Sequence, residues 1–248
     1  MRVGIRAGFE MNKIVLAIAG FLCLMPAYAA SFDCRNARLS EIEIQICADA
    51  NVSAQDEKLA SLYRKLQAGA TASQREALKA DQQQWLRDVR NTCAYRDCLG
   101  NAYRARIEGL EELNLDGWQT WVPAKEAFAE LSRRSGMSES ELTELLRDNA
   151  VTQLAMNISS FGAFVAVDLK VGKMLEQKVA GLPPGCRAKL QANQASWQET
   201  RDRTCNQEAD AEAEGGSMRP MIFTTCQAAA TKERVAYLRT LKSCEALR

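Results

Sequence analysis

The chain has 248 residues, 47% hydrophobic and 25% charged, with 32 basic against 31 acidic side chains. That length suits two small domains better than one minimal module. A net charge of +1 gives no general attraction to nucleic acid or to anionic membrane, and the absence of histidine excludes Ser-His-Asp and Cys-His catalysis and every zinc site built with imidazole.

The N-terminus reads as a targeting segment. Residues 11–29, MNKIVLAIAGFLCLMPAYA, place Lys13 before an apolar run and end in Ala27-Tyr28-Ala29, an A-x-A cleavage signature. Residues 1–29 are the expected signal peptide, with Met11 as its true start and cleavage after Ala29. The run is too short to span a bilayer. Cys23 follows Leu22 rather than a small residue, so no lipid anchor is expected. The mature protein is expected to be soluble and periplasmic or secreted. Eight cysteines then remain: Cys34, Cys47, Cys93, Cys98, Cys186, Cys205, Cys226 and Cys244. An even number in an exported chain reads as disulfides, and without a CxxC pair or a histidine zinc is the lesser reading.

Residues 78–93 read LKADQQQWLRDVRNTC, and residues 190–205 read LQANQASWQETRDRTC. With an offset of 112 and no gap, residues 56–93 lie over residues 168–205. The identical pairs include Asp56/Asp168, Lys58/Lys170, Gly69/Gly181, Leu78/Leu190, Gln82/Gln194, Trp85/Trp197 and Cys93/Cys205. After the cysteine the copies diverge, and the match resumes at an offset of 128 with Cys98/Cys226, Arg106/Arg234 and Leu110/Leu238. An internal duplication accounts for this pattern.

Each copy has helical periodicity. Leu59, Leu62, Tyr63 and Leu66 recur at three- and four-residue spacing, as do Leu78, Gln82, Trp85 and Val89, and then Leu99, Tyr103, Ile107 and Leu110. The expected fold is all-α: two disulfide-stapled small helical bundles, each a helical hairpin plus a preceding helix. They are expected over residues 31–115 and 166–248, joined by a helical connector over residues 116–165. Cys93 and Cys98 flank the first hairpin turn and should bond across it, and Cys205 and Cys226 should do the same in the second. Cys186 and Cys244 stand at nearly equal distances down the two arms of the second hairpin, so they should meet at its open end. Cys34 and Cys47 then close a local loop. The connector contains Ser138-Glu139-Ser140-Glu141, a capping box before an apolar run. Its helix-turn-helix appearance is outweighed by an acidic following helix. Residues 151–167, interrupted by Gln, Asn and Ser, suit a buried helix better than a membrane span.

As a set, Phe32-Asp33-Cys34, Ile46-Cys47, Asp56, Leu59 and Tyr63, then Gln82, Trp85, Leu86, Arg90 and Cys93, then Cys98, Tyr103, Arg106 and Ile107 resemble the lysozyme-inhibitor LprI-like N-terminal domain family. The second copy resembles a longer-loop form and departs from it, with Asp202 at the Arg90 position and Leu175 at the Tyr63 position. The resemblance implies a helical, exported protein; without histidine or a catalytic constellation no enzymatic activity is expected, and no cofactor or metal is expected. Its partner would be lysozyme or another peptidoglycan hydrolase, inhibited by occlusion of its cleft. A structural or assembly module of the cell envelope is the alternative. Trp85 and Trp197 are candidate binding aromatics, of which Trp85, at helical spacing with Leu78 and Val89, reads as core, and Arg90 and Arg106 read as members of local ion pairs with acids such as Asp88 and Glu108. No carboxylate pair stands in a context that suggests a glycosidase. The segment 206–225 is expected to be a long loop closed at its base by Cys205–Cys226, with Gly215, Gly216, Ser217, Met218 and Arg219 as candidate partner contacts. Its acids between Glu208 and Glu214 could face a basic partner.

Overall fold

The computed structural model describes residues 30–94, 96–147 and 152–241. The expected signal peptide and Cys244 lie outside these residues. The described residues contain helices and no strand: α1 (Glu41–Ala48), α2 (Ala50–Gly69), α3 (Ala72–Asp88), a 3-10 turn (Arg90–Thr92), α4 (Arg96–Asp116), α5 (Ala124–Ser135), α6 (Glu139–Arg147), α7 (Gln153–Ala180), α8 (Pro184–Ala213) and α9 (Arg219–Thr240).

Helix starts follow local chemistry. Ser40 with Glu43, Thr71 with Gln74 and Ser138 with Glu141 form reciprocal capping boxes before α1, α3 and α6. Each satisfies two backbone or side-chain donors that a helix start otherwise leaves open. Pro183 and Pro184 begin α8, where a missing N–H costs nothing. The first copy breaks at Asp49, which is extended and accepts from the amides of Asn51 and Val52 at 2.8 and 3.1 Å. At the corresponding places the second copy has Phe161 for Asp49 and Ser159 for Cys47. It therefore lacks both the cap and the disulfide, and α7 runs unbroken through the region that α1 and α2 divide. It also runs through residues 165 and 166, where the sequence suggested a domain boundary.

In the first copy α2, α3 and α4 enclose Leu59, Leu66, Leu78, Trp85, Leu99, Tyr103, Ile107 and Leu110, with Ile46 of α1 against them. In the second, α7, α8 and α9 enclose Val171, Met174, Leu190, Val235, Leu238 and Leu241. Val171, Leu190, Val235 and Leu238 stand at the positions of Leu59, Leu78, Ile107 and Leu110, so the same helix faces are buried in both. A third cluster, Leu131, Leu142 and Val165 with Phe128 and Phe161, seats α5 and α6 on α7. The approach is close at Gly162, where a Cβ would lie 3.2 Å from Leu131 Cδ2. α7 is long and apolar enough to cross a membrane by length and composition; here it packs on α5, α6 and α9.

Disulfides join Cys34 to Cys47, Cys93 to Cys98 and Cys205 to Cys226. Cys186 is also disulfide-bonded; its expected partner Cys244 lies outside the described residues.

The structure corrects the expectation for the second hairpin. Residues 206–225 do not form a loop. α8 continues to Ala213 and α9 starts at Arg219, so the insertion lengthens the hairpin by about two turns on each arm, roughly 12 Å beyond the disulfide. NQEADAEA is made largely of good helix formers, and the bonded arms already run side by side. Only residues 214–218 turn, with Glu214 at φ 45° and Gly215 at φ 80°. Gly215 supplies a left-handed conformation at little cost.

Candidate interaction site

Each hairpin carries a buried polar cluster at the same place. In the first copy, Arg106 of α4 donates from Nη1 to Asp81 at 2.6 Å and from Nε to Gln82 at 2.9 Å. In the second, Arg234 of α9 donates from Nε to Gln194 at 2.9 Å and from Nη2 to Asn193 at 2.6 Å. Asn193 stands where Asp81 does, so the first cluster is an ion pair and the second holds a guanidinium with no acidic partner among the described residues. Burial pushes the Arg234 pKa down from its ordinary value. The pair expected of Arg106 with a surface acid is therefore not the one formed: its partner is Asp81, whose side chain is only 3% exposed. Asp81 also accepts from the Ala124 amide at 2.7 Å and so fixes the start of α5.

The aromatic positions follow a similar logic. Trp85 is buried, edge-on to Tyr103 with ring centroids 5.3 Å apart. The Tyr103 hydroxyl donates to Asp56 at 2.7 Å, and burial drives its pKa far up. In the second copy Thr231 replaces Tyr103. Arg201, at the position of Val89, enters the vacated space. It reaches Asp168 and Thr231 at 3.5 and 3.3 Å and lies 5.0 Å over the rings of Phe164 and Trp197. Arg234 covers Trp197 at 5.2 Å. Trp197 thus lies within cation–π distance of two guanidinium groups. Arg90 donates to Asn91 at 2.9 Å.

The copies meet through α4, α7 and α9. Asp116, with a side chain 4% exposed, receives Arg239 through two bonds of 2.7 Å and Lys170 at 2.8 Å. Glu112 receives Lys170 at 2.7 Å. Lys173 donates to Glu126 at 2.7 Å and to the Trp121 carbonyl at 2.8 Å, and Gln177 donates to Gln119. Sequence reasoning did not single out these residues. A signal was present: Lys58/Lys170 is an identical pair, while Glu111 of the first copy stands opposite Arg239. Lys58 pairs with Glu111 at 2.8 Å on the surface. In the second copy two cations share that face, and the end of α4 supplies their acids.

This junction is expected to be acid-sensitive. Burial alone would raise the Asp116 carboxyl, but hydrogen bonds from Arg239 and Lys170 outweigh it and hold the pKa below its ordinary value. Glu130, hydrogen-bonded by Arg133 and Arg134, is held down at about 2; Arg134 carries the link on to Asp168 at 2.8 Å. Depressed folded-state pKa values contribute stability above the unfolded values, and that stability is lost as pH falls through the folded ones. The melting temperature is expected to drop between about pH 4.5 and pH 2, measured by thermal unfolding at constant ionic strength. A flat profile there would contradict the junction.

A cleft of about 540 Å³ lies beside the junction, walled by Leu110, Leu113, Trp121, Phe128 and Val167, with Lys170 and Lys232 at its margins. The proposed contact residues lie elsewhere, at the far tip of the second hairpin. Gly215, Gly216, Ser217 and Met218 are exposed there. Arg219 instead turns back along α8, donating to Asp210 at 2.6 Å and Asn206 at 3.1 Å. Asn157 donates to the Ser217 carbonyl at 3.2 Å, which ties the tip to α7. Glu208, Glu212 and Glu214 are exposed beside it. Met221, Ile222 and Phe223 are half-buried on α9.

A family model described as lysozyme inhibitor LprI matches the chain twice, over residues 34–115 and over residues 147–238. Together the two matches span well over half of the chain. No curated protein and no solved structure matches it.

Proposed function

The chain belongs to the lysozyme inhibitor LprI family, and from that membership we propose that it is an exported protein that blocks a lysozyme or a related peptidoglycan hydrolase. The double family match is the observation that carries this reading. The disulfides fit an oxidising compartment outside the cytoplasm. The segment that enters the enzyme cleft is the tip of the second hairpin. It projects beyond the Cys205–Cys226 bond, carries exposed Met218, and is flanked by Glu208, Glu212 and Glu214. Acids in such a place favour encounter with a basic enzyme. The bonded, two-armed support limits the entropy lost on docking.

The test is lysis of peptidoglycan by chicken-, goose- and invertebrate-type lysozymes in the presence of the oxidised protein. At least one type should be inhibited dose-dependently. Replacing Glu208, Glu212 and Glu214 together by Lys should weaken inhibition at least tenfold at low salt and leave the melting temperature within a few degrees. Inhibition unchanged by that replacement would remove the tip from the interface. No inhibition of any type would remove the lysozyme reading.

A further inference from the structure

The two copies differ at one surface in a way that neither the core nor the family resemblance explains. In the first copy this place is held by Tyr63 of α2. It packs against the core, its hydroxyl accepts from Gln67 Nε2 at 3.1 Å, and it lies within electrostatic reach of Arg106 on α4 and of Glu76 and Asp81 on α3. The equivalents in the second copy are Leu175 and Val179. Between α7 and α8 at this place is an open groove of about 280 Å³, lined by Leu175, Val179, Leu190 and Gln194. It adjoins a second hollow of about 430 Å³ that shares Leu175 and Gln194.

Gln194 makes the groove more than a gap. It is 7% exposed, its Oε1 is held by Arg234, and its Nε2 has no hydrogen-bond partner among the described residues. A buried donor without an acceptor is unusual and costly. The arrangement is an apolar slot with one unmet N–H enclosed behind its lining. The N–H is closed to water in the empty groove, so an acceptor reaches it only as the lining side chains part. In the first copy the equivalent place carries an aromatic ring, Tyr63, whose oxygen is met by Gln67 of its own helix; the second copy has neither the ring nor that amide.

We propose that the α7–α8 groove of the second copy is a docking site for a tyrosine side chain presented by a partner protein. The ring lies on Leu175, Val179 and Leu190, and its hydroxyl oxygen accepts from Gln194 Nε2. This proposal does not depend on the partner being a lysozyme. It gives the duplication a role: one copy fills its own groove and the other leaves it for another chain. Tyrosine suits the purpose because it brings a large apolar area with few rotatable bonds and a polar tip.

The experiment uses the oxidised full chain with two probes, p-cresol and N-acetyl-tyrosinamide, followed by NMR. Both are expected to bind saturably, with ring contacts to the methyl groups of Leu175, Val179 and Leu190. p-Xylene, which has the shape without the oxygen, should bind about three- to tenfold more weakly. Leu175→Tyr places the first copy's residue in the groove and should abolish binding of both probes while raising the melting temperature. Absence of saturable binding, or binding of p-cresol but not of the tyrosine derivative, would overturn the proposal, as would unchanged binding by a folded Leu175→Tyr protein. The methyl contacts in the unsubstituted protein decide the matter if the variant does not fold.

Discussion

Asp116→Asn is expected to destabilise the protein by about 3 kcal/mol, the low end of the cost of breaking a buried ion pair from one side. The carboxylate is almost wholly enclosed and binds Arg239 in a two-pronged arrangement as well as Lys170. Removing its charge leaves Lys170, with a side chain 12% exposed, beside Arg239. Two like charges then depend on Glu112, which already lies 2.7 Å from Lys170 and 3.4 Å from Arg239. That remaining acid is why the low end of the range applies. Chemical denaturation at pH 7 measures the loss, and the same variant should show a shallower fall in stability on acidification, since the Asp116 carboxyl no longer contributes. The exposed pair Lys58–Glu111, with side chains 59% and 52% exposed, is the control; Glu111→Gln there should cost less than about 1 kcal/mol. If Asp116→Asn cost no more than the control, the copies would not be held together by this acid.

The comparison of these two pairs shows how far the sequence could be read. The duplication was visible because the positions that repeat are those that build each hairpin. Leu78/Leu190 lies in both cores, Gln82/Gln194 and Arg106/Arg234 make the same hydrogen bond, and Cys93/Cys205 with Cys98/Cys226 bond the arms. Three-residue and four-residue spacing located most of the helices because their apolar faces are contiguous. The continuation of helix into residues 206–213 was hidden by the glycines at 215 and 216, which mark a turn but say little about where the arms beside it begin. The continuity of α7 was hidden for a similar reason: it depends on a missing cap, Phe161 in place of Asp49, rather than on a positive signal. The junction was least legible. Asp116, Lys170 and Arg239 are ordinary charged residues on helix faces, and only the fold brings residues 116 and 239 within hydrogen-bonding distance. Of the candidate contacts, Gly215, Gly216, Ser217 and Met218 lie in the turn at the hairpin tip, whereas Arg219 starts α9 and belongs to the hairpin's own bracing.

Asp81→Ala is expected to cost about 4 kcal/mol, more than the junction variant, because it leaves two groups unmet at once beside a third that is unmet already. Arg106 loses its counter-ion while its side chain is 11% exposed, the Ala124 amide at the start of α5 loses its acceptor, and one Arg106 nitrogen, Nη2, has no partner among the described residues even with Asp81 in place. Gln82 remains but carries no charge to balance the guanidinium. The second copy offers the reciprocal experiment. It tolerates a buried Arg234 with the neutral Asn193 at the equivalent place, and Trp197 and Tyr237 lie 5.2 and 4.6 Å from the guanidinium. Asn193→Asp would place a carboxylate 2.6 Å from Nη2. The arginine is already desolvated, so its own burial adds no further cost. A net gain of about 1–2 kcal/mol is expected, in line with hydrogen bonds to charged groups. Its sign is checked by pH: the new carboxyl should titrate below its unfolded value of about 3.9, so the gain is full near neutrality and disappears as pH falls through the lowered value. Denaturation of both variants at pH 7 and pH 3 measures the effects. A loss from Asn193→Asp at pH 7 would mean that the aromatic rings and amides already satisfy Arg234, and that the two clusters, alike in place, are balanced by different means.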